Sequence, residues 1–311
     1  MFDLVVISQI LWTSLATSCY FVLFAVSFAL VLKVNKVFNF AQAGMMTGAF
    51  YSAYVAVRFL GLPGVAAFGA AILGGMVMAF MLERLGFRVL RERHASPMFV
   101  FIFTLVASQF ITYLMMLIFG TWPTTIFESM FWPVTIVGNV AVSAWDVPAI
   151  AATIVVLVAL WAFLRFSRYG QFMIAVADNS ALAELYGIRK NSVLMLSMLI
   201  AGLICGIGMF MYGTRAQVQP AAATDLMLFA VAATILGGIG NIWGAALAAV
   251  VLGVVQNGSI LFIPSAWQGF LLYAFLFVAI VAFPSGLQLP EGRRALKRMA
   301  AAPAANAGKA G

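Results

Sequence analysis

Charge is what this sequence has least of. Only 26 of its 311 residues are Asp, Glu, Lys or Arg, one histidine joins them, and 65% are hydrophobic. A soluble domain is about half apolar and about a quarter charged. So few charges cannot cover a water-exposed globule of this length, which excludes an ordinary cytoplasmic enzyme and a disordered chain. Cysteine is nearly absent too. Cys19 and Cys205 both sit inside apolar runs with neither metal-ligand nor disulfide spacing, so they read as small apolar filler and a disulfide scaffold is excluded. The sequence also lacks GxxxxGK[ST], HExxH, an intramembrane Asp pair and a Ser/His constellation. No cofactor, metal site or nucleic-acid partner is expected, and any nucleotide chemistry must come from another chain.

Long apolar runs are what the sequence has instead. A helix crosses the hydrocarbon core with about 20 apolar residues, which leaves room for about eight or nine crossings here. A membrane β-barrel would show short alternating segments, so the expected fold is an all-α polytopic membrane protein. The runs cover about 7–32, 37–57, 62–82, 98–119, 148–164, 191–213, 226–257 and 267–283. The first lacks a basic stretch before it and a cleavage site after it, so it is expected to be retained. Between the third and fourth lies the charged stretch ERLGFRVLRERH (83–94), read as a connection.

Basic residues collect on the cytoplasmic side of short loops. An outside N-terminus places 15 of the 17 Lys and Arg inside, leaving only Arg58 and Arg215 outside, and puts the C-terminus in the cytoplasm. Residues 226–257 are too many for one straight span and are interrupted by Gly237, Gly238, Gly240, Asn241 and Gly244. They form either a pair of short spans, giving nine crossings, or a re-entrant hairpin; the broken pair is favoured. Residues 1–290 are read as one transmembrane domain and 291–311 as a basic, disordered cytoplasmic tail.

Two connections are patterned. The outer loop 120–147 holds Trp122, Trp132 and Trp145, and its VTIV-GN-VAVS stretch (134–143) carries a two-residue hairpin signal. It reads either as an interfacial aromatic belt or as a docking ledge for a soluble partner. The cytoplasmic loop 165–191, with its continuation to 193, is too polar to span. Asp178, Asn179 or Ser180 can cap a helix of about seven residues there. Ala181, Leu182 and Leu185 share one side of it, and Gly187 sits where a left-handed C-terminal cap belongs. So short a helix is marginal alone, so its apolar stripe needs a surface, either this protein's own loops or a cytosolic subunit.

Within membrane depth the polar groups are neutral amides and hydroxyls. Asn39, Gln42, Gln109, Asn241, Gln256 and Asn257 read either as the lining of a translocation path or as interhelical hydrogen bonds that fix packing. Gly44, Gly48, Ala49, Ser52 and Ala53 recur at three- and four-residue steps that suit close helix contact. Without ionisable groups in the spans, proton coupling is disfavoured. The residues alone also fit a stand-alone secondary carrier or channel.

GQFMIAVADNSALAELYGIRKNSV (170–193), FNFAQAG (38–44) and ILGGIGNIWGAALAAVVLG (235–253) together resemble the permease subunits of branched-chain amino-acid (Liv) type ABC importers, over most of residues 10–285. The resemblance implies that Asp178–Gly187 is a coupling helix docked on a cytosolic ATPase subunit. Asp178, Ala181, Leu182, Glu184, Leu185, Gly187 and Arg189 are its contact residues. It further implies a second permease chain, sister or identical, an extracytoplasmic solute-binding protein, and multi-pass residence in the bacterial inner membrane. One departure falls at NFAQ, where Ala43 and Gly44 follow and Gly48 comes about one position early. The family's solutes include branched-chain amino acids, urea, short amides and aromatic carboxylates.

Overall fold

The structure, a computed structural model, describes residues 4–127, 134–137 and 140–259, with single positions between 264 and 278. The tail 291–311, Glu128, Trp132, Pro133 and the Gly138–Asn139 turn lie outside the described residues, as does most of the last apolar run.

The chain forms eleven helices and one hairpin among the described residues. In order they are α1 Leu4–Asn35, α2 Gln42–Arg58, α3 Gly64–Met81, α4 Arg88–Glu92, α5 Pro97–Phe119, β1 Val134–Val137, β2 Val140–Ser143, α6 Asp146–Phe166, α7 Arg168–Asp178, α8 Ser180–Leu185, α9 Lys190–Gly213, α10 Ala222–Leu236 and α11 Ile242–Gly258. Among the described residues, five helical segments are long and apolar enough to cross a membrane: Val5–Asn35, Gly64–Glu92, Pro97–Phe119, Asp146–Phe166 and Lys190–Gly213.

A helix that is apolar all round belongs in the interior, and α1 is such a helix. From Ala16 to Val34 nearly every residue is buried, with α6, α9, α10 and α11 packed around it. α5 and α6 lie outside and turn Phe99, Phe110, Leu117, Val155 and Val158 outward. The tightest crossing joins α3 to α9 through Ala71, Gly75, Gly202 and Gly206. A Cβ on Gly206 would come 2.7 Å from the Ala71 carbonyl oxygen, so only glycine permits this backbone approach. The small residues of α2 serve the same end, since Gly48 faces Met78 and Ser52 faces Gly74.

Two features differ from the sequence reading. The charged stretch 83–94 does not end the third helix: α3 runs on through a π-helical turn, Leu82–Phe87, into α4. Glu83 is fully buried there and is held by the Arg91 guanidinium, which lets the helix continue through charged sequence. The run at 37–57 becomes helical only at Gln42, because the chain leaves α1 at Lys36 with a left-handed φ of 56° and re-enters as non-helical backbone. As the sequence reading has it, 226–257 is broken at its glycines into two helices. Gly238 and Gly240, at φ 94° and 88°, make the turn between α10 and α11.

α10 runs alongside α1 in the same direction, with Phe229 stacked on Phe21 at 4.0 Å and Thr234 Oγ1 3.4 Å from the Ala25 carbonyl oxygen. α11 returns along α1, where Asn257 Nδ2 donates to Thr17 Oγ1 at 2.7 Å. The hairpin strands pair antiparallel from Val134↔Ser143 to Val137↔Val140. Gln9 fastens them to α1, accepting from the Ala141 N–H at 2.7 Å and donating to its carbonyl at 3.1 Å.

Candidate coupling face and polar interior

The segment after α6 is an arm of two helices. Ser167 caps α7, its hydroxyl accepting from the Gly170 N–H at 2.9 Å. Gly170, Met173, Val176 and Ala177 then fall on one buried side. α7 therefore seats the arm on the bundle, and α8 follows at once. Asn179 is the cap of α8, its Oδ1 accepting from the Leu182 N–H at 3.0 Å. Asp178, one of three capping candidates in the sequence, is instead the last residue of α7. At the other end Gly187 takes φ 81°. The Gly187 N–H bonds the Glu184 carbonyl at 2.9 Å and the Ile188 N–H bonds the Ala183 carbonyl at 3.1 Å, the paired bonds of a Schellman end.

These caps fix which side of α8 faces outward. Ala183 is buried against the chain at 4% exposure, whereas Leu182, Leu185 and Tyr186 are 50%, 84% and 79% exposed. Among the described residues, no loop of this protein covers the apolar stripe. Asp178, Ala181, Glu184, Gly187 and Arg189 are exposed as well. Beside this helix opens a cavity of about 830 Å³, bordered by Glu83, Arg88, Tyr169, Tyr186, Arg189 and Asn191.

The neutral polar residues do not form one lining. Asn39 and Gln42, both fully buried, lie in the re-entry segment before α2 and at its start. Gln42 Nε2 donates to Ser27 Oγ at 2.6 Å and to the Phe24 carbonyl at 3.2 Å; Ser27 in turn meets Cys205 Sγ at 3.1 Å. The oxygen of each amide, Asn39 Oδ1 and Gln42 Oε1, has no partner among the described residues. Asn241 caps α11, accepting from the Gly244 N–H at 3.0 Å. Asn257 binds Thr17, and Gln256 Oε1 is buried without a partner among the described residues. Gln109 alone is exposed, on the outward side of α5.

A polar cluster that the sequence did not pair lies at the end opposite the arm. Asp146, at 3% exposure, accepts from Trp12 Nε1 at 2.9 Å, the Ser143 N–H at 3.1 Å and Arg215 Nη1 at 2.9 Å. It knots α1, β2, α6 and the end of α9 together. The signal available was that Asp146 and Arg215 both stand at span ends on the charge-poor side.

A bundle with several helices long and apolar enough to cross a membrane is a multi-pass membrane protein. The chain belongs to the branched-chain amino-acid ABC permease family: residues 10–280 match its profile, described as the branched-chain amino acid transport system permease component. It is 23% identical over 292 residues to the high-affinity branched-chain amino acid transport system permease protein BraD of Pseudomonas aeruginosa, covering 90% of this chain and 94% of the relative. It is 24% identical over 281 residues to LivH of Salmonella typhimurium, covering 86% and 90%. A stretch of 135 residues is 29% identical to the ribose import permease protein RbsC of Escherichia coli, 41% of this chain and 42% of that one. Among solved structures, PsaBC from Streptococcus pneumoniae in complex with Fab shares the fold, with a TM-score of 0.50 at 13% identity over 86% of this chain and 89% of that one.

Proposed function

We propose that this chain is the permease subunit of an ATP-driven importer moving a small polar solute, branched-chain or related amino acids, inward across the bacterial inner membrane. The relatives named for branched-chain amino-acid transport support that solute class. The departure at Ala43–Gly48 keeps urea, a short amide and an aromatic carboxylate in the panel to be tested. ATP hydrolysis falls to separate cytosolic subunits, and an extracytoplasmic solute-binding protein delivers solute at the hairpin end. A second permease chain, sister or identical, completes the membrane part.

One observation carries this reading. α8 is rigidly capped at both ends and yet leaves Leu182, Leu185 and Tyr186 outside. An apolar stripe held into water gains by burial in a partner's groove, about 1.5–3 kcal/mol per large side chain. Asp178, Ala181, Glu184, Gly187 and Arg189 surround that stripe, and α7 links it to the bundle, so closure of paired ATPases would push on the core through Met173 and Val176. The inward path would open among the Asn39, Gln42, Asn241, Gln256 and Asn257 groups, as Gln42 and Asn257 part from α1 and Asn39 parts from α9. Gln109, facing outward, is available to line it between two permease chains.

The test is co-purification of the permease with its ATPase subunits. Leu182→Glu or Leu185→Glu should abolish the association while leaving the permease folded, and retained association with intact transport overturns the assignment. Solute uptake by the chain alone in liposomes, without any ATPase, would overturn the importer reading itself.

A further inference from the structure

A second site lies on the same end of the bundle as the arm but on its flank. A cavity of about 240 Å³ opens where the last turns of α1 and α6 meet α7 and the start of α11. Lys33 and Arg165 both line it, with Asn241 beside them and the indoles of Trp161 and Trp243 as walls. The Arg165 guanidinium lies 5.7 Å from the Trp161 ring centroid. Among the described residues neither cation makes an ion pair, and no carboxylate lines the cavity. Single cations at helix C-termini complement the backbone dipole. That accounts for each charge separately, but not for two of them converging on one concavity between two indoles.

Two apolar stripes lead away from this cavity. On α6, Trp161, Val158 and Ile154 recur on one face and are exposed; on α11, Trp243 is followed by exposed Leu247 and Val251 at four-residue steps. Both helices pack on α1, so both stripes run from the cations toward the middle of the bundle. Tryptophan marks the headgroup level of a bilayer, and basic pockets between transmembrane helices recognise anionic headgroups.

We propose that this cavity is a binding site for one anionic phospholipid. Its phosphate is held by Lys33 and Arg165, its polar headgroup meets Asn241, and its acyl chains follow the two stripes. Because Met173, Ile174 and Ala177 of α7 form the remaining wall, the bound lipid braces the arm against the bundle. A free phosphate shares the headgroup chemistry but leaves both stripes uncovered. The leaflet occupied rests on the orientation proposed above; the binding itself does not, so the two fail separately.

The experiment is native mass spectrometry of the detergent-purified transporter assembly, titrated with phosphatidylglycerol, with phosphatidylcholine, or with inorganic phosphate. A saturable phosphatidylglycerol adduct is expected that neither phosphatidylcholine nor millimolar phosphate displaces. The Lys33→Ala/Arg165→Ala double variant should lose about tenfold or more in apparent affinity. Lys36→Ala/Arg168→Ala, which removes the same charge from exposed positions outside the cavity, should lose almost none. If the first double variant fails to assemble, Arg165→Gln alone is expected to weaken the adduct. Equal loss in the two double variants, equal binding of phosphatidylcholine, or displacement by phosphate each overturns the lipid site.

Discussion

Asp146 and Arg215 are 69 positions apart, yet the carboxylate of one is almost wholly buried and depends on the guanidinium of the other. A buried acid whose partner is removed loses far more than an exposed one does. Arg215 is itself partly exposed, so the cost of Arg215→Met is set at about 1.5–3 kcal/mol, the range for a hydrogen bond to a charged group. It should appear as a lowered thermal midpoint in detergent, with Trp12 fluorescence reporting the loosened knot. At the other end, Gly187 holds a left-handed φ of 81°, a conformation that costs an alanine about 1–2 kcal/mol. Gly187→Ala should therefore accelerate amide exchange across residues 182–188 by about fivefold to thirtyfold, and Gly187→Asn by less. The Gly187 cap and the helix it ends were readable from sequence, because a cap is a local bargain between neighbouring residues. The Asp146–Arg215 pair was not, since nothing local joins two residues on different helices.

At the scale of elements, hydropathy found the long runs and the glycines found the break between α10 and α11. It missed α7 because an 11-residue helix carrying Arg168, Gln171 and Asp178 is too polar on average to stand out. Its signal was positional: a serine cap at 167 followed by Gly170, Met173, Val176 and Ala177 on one side. The π-helical turn was hidden for a different reason. Charge ends a membrane span in sequence, whereas Glu83 and Arg91 neutralise one another inside the helix and allow it to continue. The α3–α9 crossing offers a direct test of how closely elements are held. A side chain at Gly202 meets the Gly75 backbone and the Ala79 methyl group, while one at Gly69 on α3 meets nothing. Gly202→Leu should cost about 1–3 kcal/mol or more through overpacking, and Gly69→Leu almost nothing, judged by the fraction of monodisperse protein recovered and its thermal midpoint. Equal tolerance at both positions would mean that the two backbones stand farther apart than described.

For the whole molecule, scarce charge is sorted by end rather than spread. Lys33, Arg88, Arg165 and Arg189 border the cavities at the arm end, while Asp146 and Arg215 close the other. The α10–α11 turn belongs to the arm end, since Asn241 shares a cavity with Lys33 and Arg165. Where that turn lies relative to the bilayer is what separates the two readings of 226–257. A pair of short spans brings the turn out into the cytoplasm, whereas a re-entrant hairpin leaves it within the bilayer. Cys19 and Cys205 are both buried, so a cysteine introduced at an exposed position is labelled with little background. Ala141→Cys should react with a membrane-impermeant maleimide in intact cells, and Asn191→Cys only in inverted vesicles. Ile239, 66% exposed at the turn, decides the count. Ile239→Cys labelled only in inverted vesicles gives nine crossings, whereas resistance on both sides gives seven and a hairpin. Reaction from outside would reverse the orientation and, by placing α8 outside, overturn the proposed docking of α8 on a cytosolic ATPase.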